Sequence, residues 1–182
     1  MAFEKLIEYF LKFPGIGPRQ AKRFGYFLAG TDKKFAEELA KLILEIKKNV
    51  IQCQSCWSFF ESAAERTSNN CSICANLNRD TLLLMVIEKD VDLENIEKSG
   101  VYNGKYFVLG GAISLADGAK KQNHLRFKEL FDKVQKEMPK EIILATSATI
   151  EGENTARYIE KILEPVNKKF HLKITRLGRG LS

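Results

Sequence analysis

Two Cys-x-x-Cys pairs, Cys53/Cys56 and Cys71/Cys74, stand fourteen residues apart in a chain of 182. No other feature limits the possible folds as much. Each Cys-x-x-Cys turn presents two sulfurs on one side, and four soft ligands at tetrahedral corners suit Zn²⁺. Residues 50–77 are therefore expected to form a small module around a zinc ion held by Cys53, Cys56, Cys71 and Cys74. Four thiolates leave no open coordination position, so a structural rather than catalytic ion is expected. Trp57, Phe59 and Phe60, in the spacer, are expected to pack this module. The chain reads as cytoplasmic. It has no apolar run near the ~20 residues of a membrane span. Its first residues, Met1-Ala2-Phe3-Glu4-Lys5, carry no apolar leader core. A reduced compartment also disfavours disulfides.

The stretches on either side of the cysteines differ in period. Residues 1–49 read as helical, with Leu6, Ile7, Phe10, Leu11 and Phe13 as one apolar stripe. A second helix is expected from Pro18 to about Ala29. A third is capped by Thr31 or Asp32 and buries Phe35, Leu39, Leu42, Ile43 and Ile46. Residues 78–182 alternate instead. Strands are expected at Leu82–Ile87, Tyr106–Leu109, Glu141–Ala145 and Lys173–Arg176, with helices near Val91–Ser99, Asn123–Met138 and Glu153–Leu163. Strands interleaved with helices imply an α/β fold with a mostly parallel sheet flanked by helices.

Pro14-Gly15-Ile16-Gly17-Pro18 lies between an apolar helix and a basic one. Gly15 and Gly17 allow positive φ, so the chain can reverse within a few residues. The amides at the start of the second helix then face outward, and a helix N-terminus attracts phosphate. Arg19, Lys22 and Arg23 fall on one face at i, i+3 and i+4. This is the helix-hairpin-helix pattern of proteins that grip nucleic-acid backbone without reading bases. The plainer alternative is a packed αα-hairpin with a solvated basic face. The chain's formal charge of +6 agrees with an anionic partner, although four thiolates and a divalent ion would take two units from it.

The strand Leu82–Ile87 runs into Glu88, a carboxylate at the end of a parallel strand, where α/β folds place ligands. Ile142-Ile143-Leu144-Ala145-Thr146-Ser147-Ala148-Thr149-Ile150-Glu151-Gly152-Glu153 resembles the Toprim signature of topoisomerases and primases. Catalytic members hold magnesium with a glutamate and an Asp-x-Asp pair, and those two aspartate positions fall on Ser147 and Thr149. Hydroxyls are poor replacements for carboxylates around a hard cation. Without the resemblance, Thr146, Ser147 and Thr149 read as turn and cap residues before the last helix. His124 and His171 lie near no candidate nucleophile in sequence and carry no functional expectation.

A helix-hairpin-helix, a four-cysteine module and a degenerate Toprim domain, in that order, resemble the bacterial recombination mediator family RecR across essentially the whole chain. The most specific points are Phe13–Arg19, the cysteines, Val108-Leu109-Gly110-Gly111-Ala112-Ile113-Ser114, Ala145–Glu153 and Thr175–Leu181. Two features depart from the family. The spacer between the cysteine pairs is longer than usual. Typical members also continue past the equivalent of Gly180-Leu181 with an acidic, glycine-bearing tail resembling a Walker B element, whereas this sequence stops at Ser182.

The resemblance implies a non-catalytic role at the nucleoid. Members form dimeric or tetrameric rings, join RecO or RecF, and help load RecA on gapped single-stranded DNA. By position, Arg19 and Arg23, with Lys22 assisting, would contact DNA phosphates around Gly15 and Gly17, and Glu88 and Glu151 would meet a basic RecO surface. Two alternatives are a magnesium-dependent Toprim nuclease or primase-like enzyme using Glu88, Glu151 and Glu153, and a DNA-binding zinc module without a mediator role.

Overall fold

A computed structural model describes residues 1–62, 69–114 and 124–178. The chain divides into two compact units, Met1–Val50 and Ile51–Ser182.

The first unit holds α1 (Ala2–Phe10), α2 (Pro18–Gly30) and α3 (Lys33–Asn49). α1 stops short of the expected stripe, and Leu11–Phe13 already belong to the turn. Pro18 occupies the first turn of α2, where its missing N–H costs nothing. Gly25 lets α2 approach α1, because a Cβ there would stand 3.2 Å from Ile7 Cγ1 and 3.3 Å from the Phe3 ring. Of the two cap candidates before α3, Asp32 takes the role, its Oδ1 accepting from the Phe35 amide at 2.9 Å. One expectation is corrected. Phe35, Leu42, Ile43 and Ile46 are not buried but 42–56% exposed. Fifty residues in three helices offer too little surface to cover both faces of α3.

From the last residue of the first unit onward, β1 (Val50–Gln52) and β2 (Phe59–Glu61) form a two-stranded ribbon, and α4 (Ser72–Ala75) follows. The main sheet is built from β3 (Asp80–Ile87), β4 (Gly104–Val108), β5 (Glu141–Ala145) and β6 (Lys173–Arg176). Its order is β4-β3-β5-β6, and every neighbouring pair is parallel. The connecting helices are α5 (Asp90–Ser99), α6 (Phe127–Glu137) and α7 (Ile150–Phe170).

Alternation along the strands supplies two cores. Leu84, Val86, Phe107, Ile142 and Leu144 meet Leu130 and Val134 of α6 and Ile159 and Leu163 of α7 on one face. Met85, Ile87, Tyr106 and Val108 meet Leu93 and Ile96 of α5 on the other. α7 is longer than its expected span and carries Pro165 in its interior. Among the described residues no helix is long and apolar enough to cross a membrane. Of the expected features, Asn123 at the start of the sixth helix and Arg179-Gly180-Leu181 of the closing motif lie outside the described residues.

Candidate functional site

The cysteines come together as the spacing demands. Their four sulfurs lie within 4.8 Å of one another, and Cys53, Cys56 and Cys71 are buried. Cys56 Sγ and Cys71 Sγ are 3.6 Å apart. A tetrahedron with 2.3 Å zinc–sulfur bonds sets sulfurs about 3.8 Å apart, so the group fits such an ion. Local backbone bonds build the turns that aim the sulfurs. The Cys53 amide donates to Ser58 O at 2.8 Å, the Trp57 amide to Cys53 O at 3.0 Å, and the Ala75 amide to Cys71 O at 2.9 Å. The Cys71 amide also donates to Cys53 Sγ at 3.3 Å, a bond that favours the thiolate. Crowding splits the titration of the group. Cys53 is held below the ordinary thiol value by hydrogen bonds from Cys56, Cys71 and Cys74. Cys74 is pushed above it by Cys53, Cys56 and Cys71, and further by burial. Phe60 packs against the cluster as expected, but Phe59 is 57% exposed and does not.

At the carboxyl ends of β3 and β5 runs a chain of hydrogen bonds from Glu88 to the start of α7. Glu88 is only 7% exposed. Its Oε1 accepts from the Ser147 amide at 2.8 Å and the Ser147 hydroxyl at 3.0 Å. With the Ser147 proton directed at Glu88, the contact of 2.9 Å between Ser147 Oγ and Thr149 Oγ1 requires the Thr149 hydroxyl to donate. Thr149 Oγ1 in turn accepts from the Gly152 amide at 3.1 Å, capping α7. Ser147 thus satisfies Glu88 directly, and Thr149 supports Ser147 from behind. Beside this chain lies a cleft of about 540 Å³, lined by Thr146, Ser147, Glu153 and Arg176 among others. Arg176 is tied to Glu153 at 2.7 Å and Glu160 at 3.0 Å.

The two carboxylates expected to face a partner differ in exposure. Glu151 is exposed in the first turn of α7, but Glu88 is buried and bonded. Among the described residues the cysteines form a metal-ligand group, and Glu88, Glu151 and Glu153 do not.

On the first unit the hairpin reverses as expected, with one refinement. Gly15 adopts φ +76°, whereas Gly17 is extended at φ −87° and serves as the N-cap of α2. Arg19, Lys22 and Arg23 are all exposed. Arg23 contacts Gln20 Oε1 at 3.4 Å. α2 contains no Asp or Glu, and among the described residues no carboxylate pairs with these three cations.

Residues 3–47 match a family profile described as RecR, helix-hairpin-helix, and residues 83–178 match the Toprim domain. The chain is 37% identical over 177 residues to the recombination protein RecR of Carboxydothermus hydrogenoformans, covering 97% of this chain and 83% of that one. The RecR of Lactobacillus helveticus is 36% identical, covering 97% and 84%. The chain belongs to the RecR family. A third RecR, from Dehalococcoides mccartyi, is 38% identical over 97% of this chain and 81% of its own. RecR proteins are recombination proteins, and membership makes this chain one of a family acting in DNA repair.

Sequence reasoning missed several residues around these sites. In the Glu-Gly-Glu motif, the glycine is the constrained position. A Cβ at Gly152 would lie 2.0 Å from Ser147 O. Lys105, Arg126 and Lys133 all reach the cysteine module. No periodicity or spacing marks a lysine as a clamp, since its target is set by tertiary packing.

Proposed function

We propose that this RecR-family chain is a non-catalytic DNA-binding mediator of recombinational repair. In this reading Arg19, Lys22 and Arg23, around Gly15 and Gly17, grip the backbone of gapped or single-stranded DNA. The protein joins RecO, with RecF as a second candidate, and helps load RecA. Its ion is Zn²⁺, held by Cys53, Cys56, Cys71 and Cys74, and it works in the cytoplasm at the nucleoid.

The observation that carries the reading is the commitment of Glu88 to Ser147. A carboxylate spent on two hydrogen bonds, beside hydroxyls instead of aspartates, is poorly placed to hold magnesium for phosphoryl transfer. The exposed basic face of α2, a helix without Asp or Glu, supports backbone binding. Glu151 is then the exposed contact for a basic partner surface, and Glu88 holds the 146–149 loop beneath it. The uncovered apolar stripe of α3 supports a homodimer or homotetramer.

The test pairs two charge reversals. Arg19→Glu with Arg23→Glu should weaken DNA binding and spare RecO binding, whereas Glu151→Lys should weaken RecO binding and spare DNA binding. Magnesium-dependent cleavage or primer synthesis that disappears in Glu88→Gln would replace this reading with the enzymatic one.

A further inference from the structure

β4 is an edge strand of the sheet. Consecutive amides of a strand point to opposite sides. The amide just past β4, that of Leu109, donates inward to Ile87 O at 2.9 Å. The Val108 amide points outward, and there it meets Cys56 O at 2.8 Å. The Val108 carbonyl is taken as well, by Arg126 Nη1 at 3.0 Å. The same guanidinium lies 5.4 Å over the Trp57 ring. Trp57 directly follows Cys56 and is held at φ +66°, a conformation unfavourable for a bulky residue.

The second cysteine pair is gripped from the same strand. Lys105 Nζ donates to Ile73 O at 3.0 Å, Cys74 O at 3.0 Å and Asn76 O at 2.9 Å. An ammonium has three protons, and all three are used. From α6, Lys133 Nζ donates to Ser55 Oγ at 2.9 Å and pairs with Glu137 at 2.7 Å. Its side chain is only 8% exposed.

We infer that the four-cysteine module is a metal-dependent cover for the β4 edge, and that Lys105, with Arg126 and Lys133, is its positioning counter-charge. The inference rests on the group taking Zn²⁺. Four thiolates around one Zn²⁺ carry a net charge of −2, which three nearby cations offset, Lys133 in part through its balance with Glu137. Metal holds the two turns in the shape that offers the Cys56 and Cys74 carbonyls to β4. When the turns come apart, the outward amide of Val108 loses its partner, Cys56 O. The freed edge, Gly104-Lys105-Tyr106-Phe107-Val108, has one charge and three large apolar residues. Such an edge is a template for pairing with β4 of a second copy.

The experiment uses the full chain. Metal analysis and competition with a chromophoric chelator measure zinc content and affinity. Amide exchange across 104–108 and sedimentation are followed before and after chelation. Lys105→Met should weaken zinc binding roughly 10- to 100-fold, the range seen when outer partners of metal ligands are removed. Chelation of the unmutated protein should speed exchange at Val108 and cause concentration-dependent association, both reversed by added zinc. Lys133→Met, expected to act in the same direction, covers the case in which Lys105→Met does not fold. Zinc bound at one per chain with unchanged affinity in both variants, or with Val108 exchange indifferent to chelation, would overturn the inference alone. Absence of zinc binding would overturn the metal reading as well.

Discussion

Gly152 shows how a single missing Cβ holds a site together. The first turn of α7 passes so close to Ser147 that any side chain would strike its carbonyl. Gly152→Ala should push α7 away, break the chain from Thr149 through Ser147 to Glu88, and cost about 1–3 kcal/mol, as overpacking typically does. Urea denaturation of the variant measures this. A second residue-scale prediction concerns Glu97. Its carboxylate is held below the usual range chiefly by the Arg79 guanidinium, with Tyr106 also donating to Oε1 at 2.6 Å. Because the folded value is depressed, the stabilisation is complete above the unfolded value of about 4.3. It is lost as pH falls through the folded value. Glu97→Gln should cost about 1.5–3 kcal/mol near neutrality, as loss of a hydrogen-bonded charge does. It should also flatten the acid side of the melting temperature profile, which scanning calorimetry across that window would show.

Among the elements, the cysteine module has little hydrophobic support of its own. Its buried cluster is Cys53, Cys56 and Cys71, with Phe60, Ile73 and Cys74 packed against them. Structural zinc contributes on the order of 10 kcal/mol in comparable small modules at neutral pH. Cys71→Ser should therefore unfold residues 50–77 at temperatures where the sheet's two cores still hold. Acid should do the same, since the thiolates must be deprotonated to bind. Circular dichroism with parallel metal analysis distinguishes local from global loss. α3 offers a smaller check. Asp32→Ala removes the oxygen that accepts the Phe35 amide and should cost about 1 kcal/mol.

At the largest scale, the first unit exposes both charge and apolar surface. Reversal of Arg19 and Arg23 should weaken DNA binding about equally for all sequences. Each lost phosphate contact should reduce the salt slope by about one unit on duplex and somewhat less on single strands. Fluorescence anisotropy over a salt series reads both. The exposed Leu42 and Ile46 lie on one face of α3 at i and i+4. Leu42→Asp with Ile46→Asp should leave the helix formed and shift the protein toward smaller assemblies. Analytical ultracentrifugation would register the shift, and an unchanged mass would remove α3 from the self-association surface.

The sequence alone determined what depends on local period and spacing. Two Cys-x-x-Cys turns dictate where sulfurs converge, Gly15 and Pro18 dictate a reversal and a helix start, and a short apolar run marks the strand Glu141–Ala145 at its observed limits. Tertiary structure decided what depends on distant groups meeting. Helical spacing on α3 signals an apolar face but not whether anything covers it. Glu88 at a strand end reads as a ligand-facing carboxylate, yet Ser147, fifty-nine residues on, satisfies its Oε1 with two hydrogen bonds. Lys105 looks like any surface lysine until β4 lies beside the carbonyls of Ile73, Cys74 and Asn76. A side chain's role at such places is set by which unpaired donors and acceptors folding brings within about 3 Å, and no local pattern in the chain encodes that.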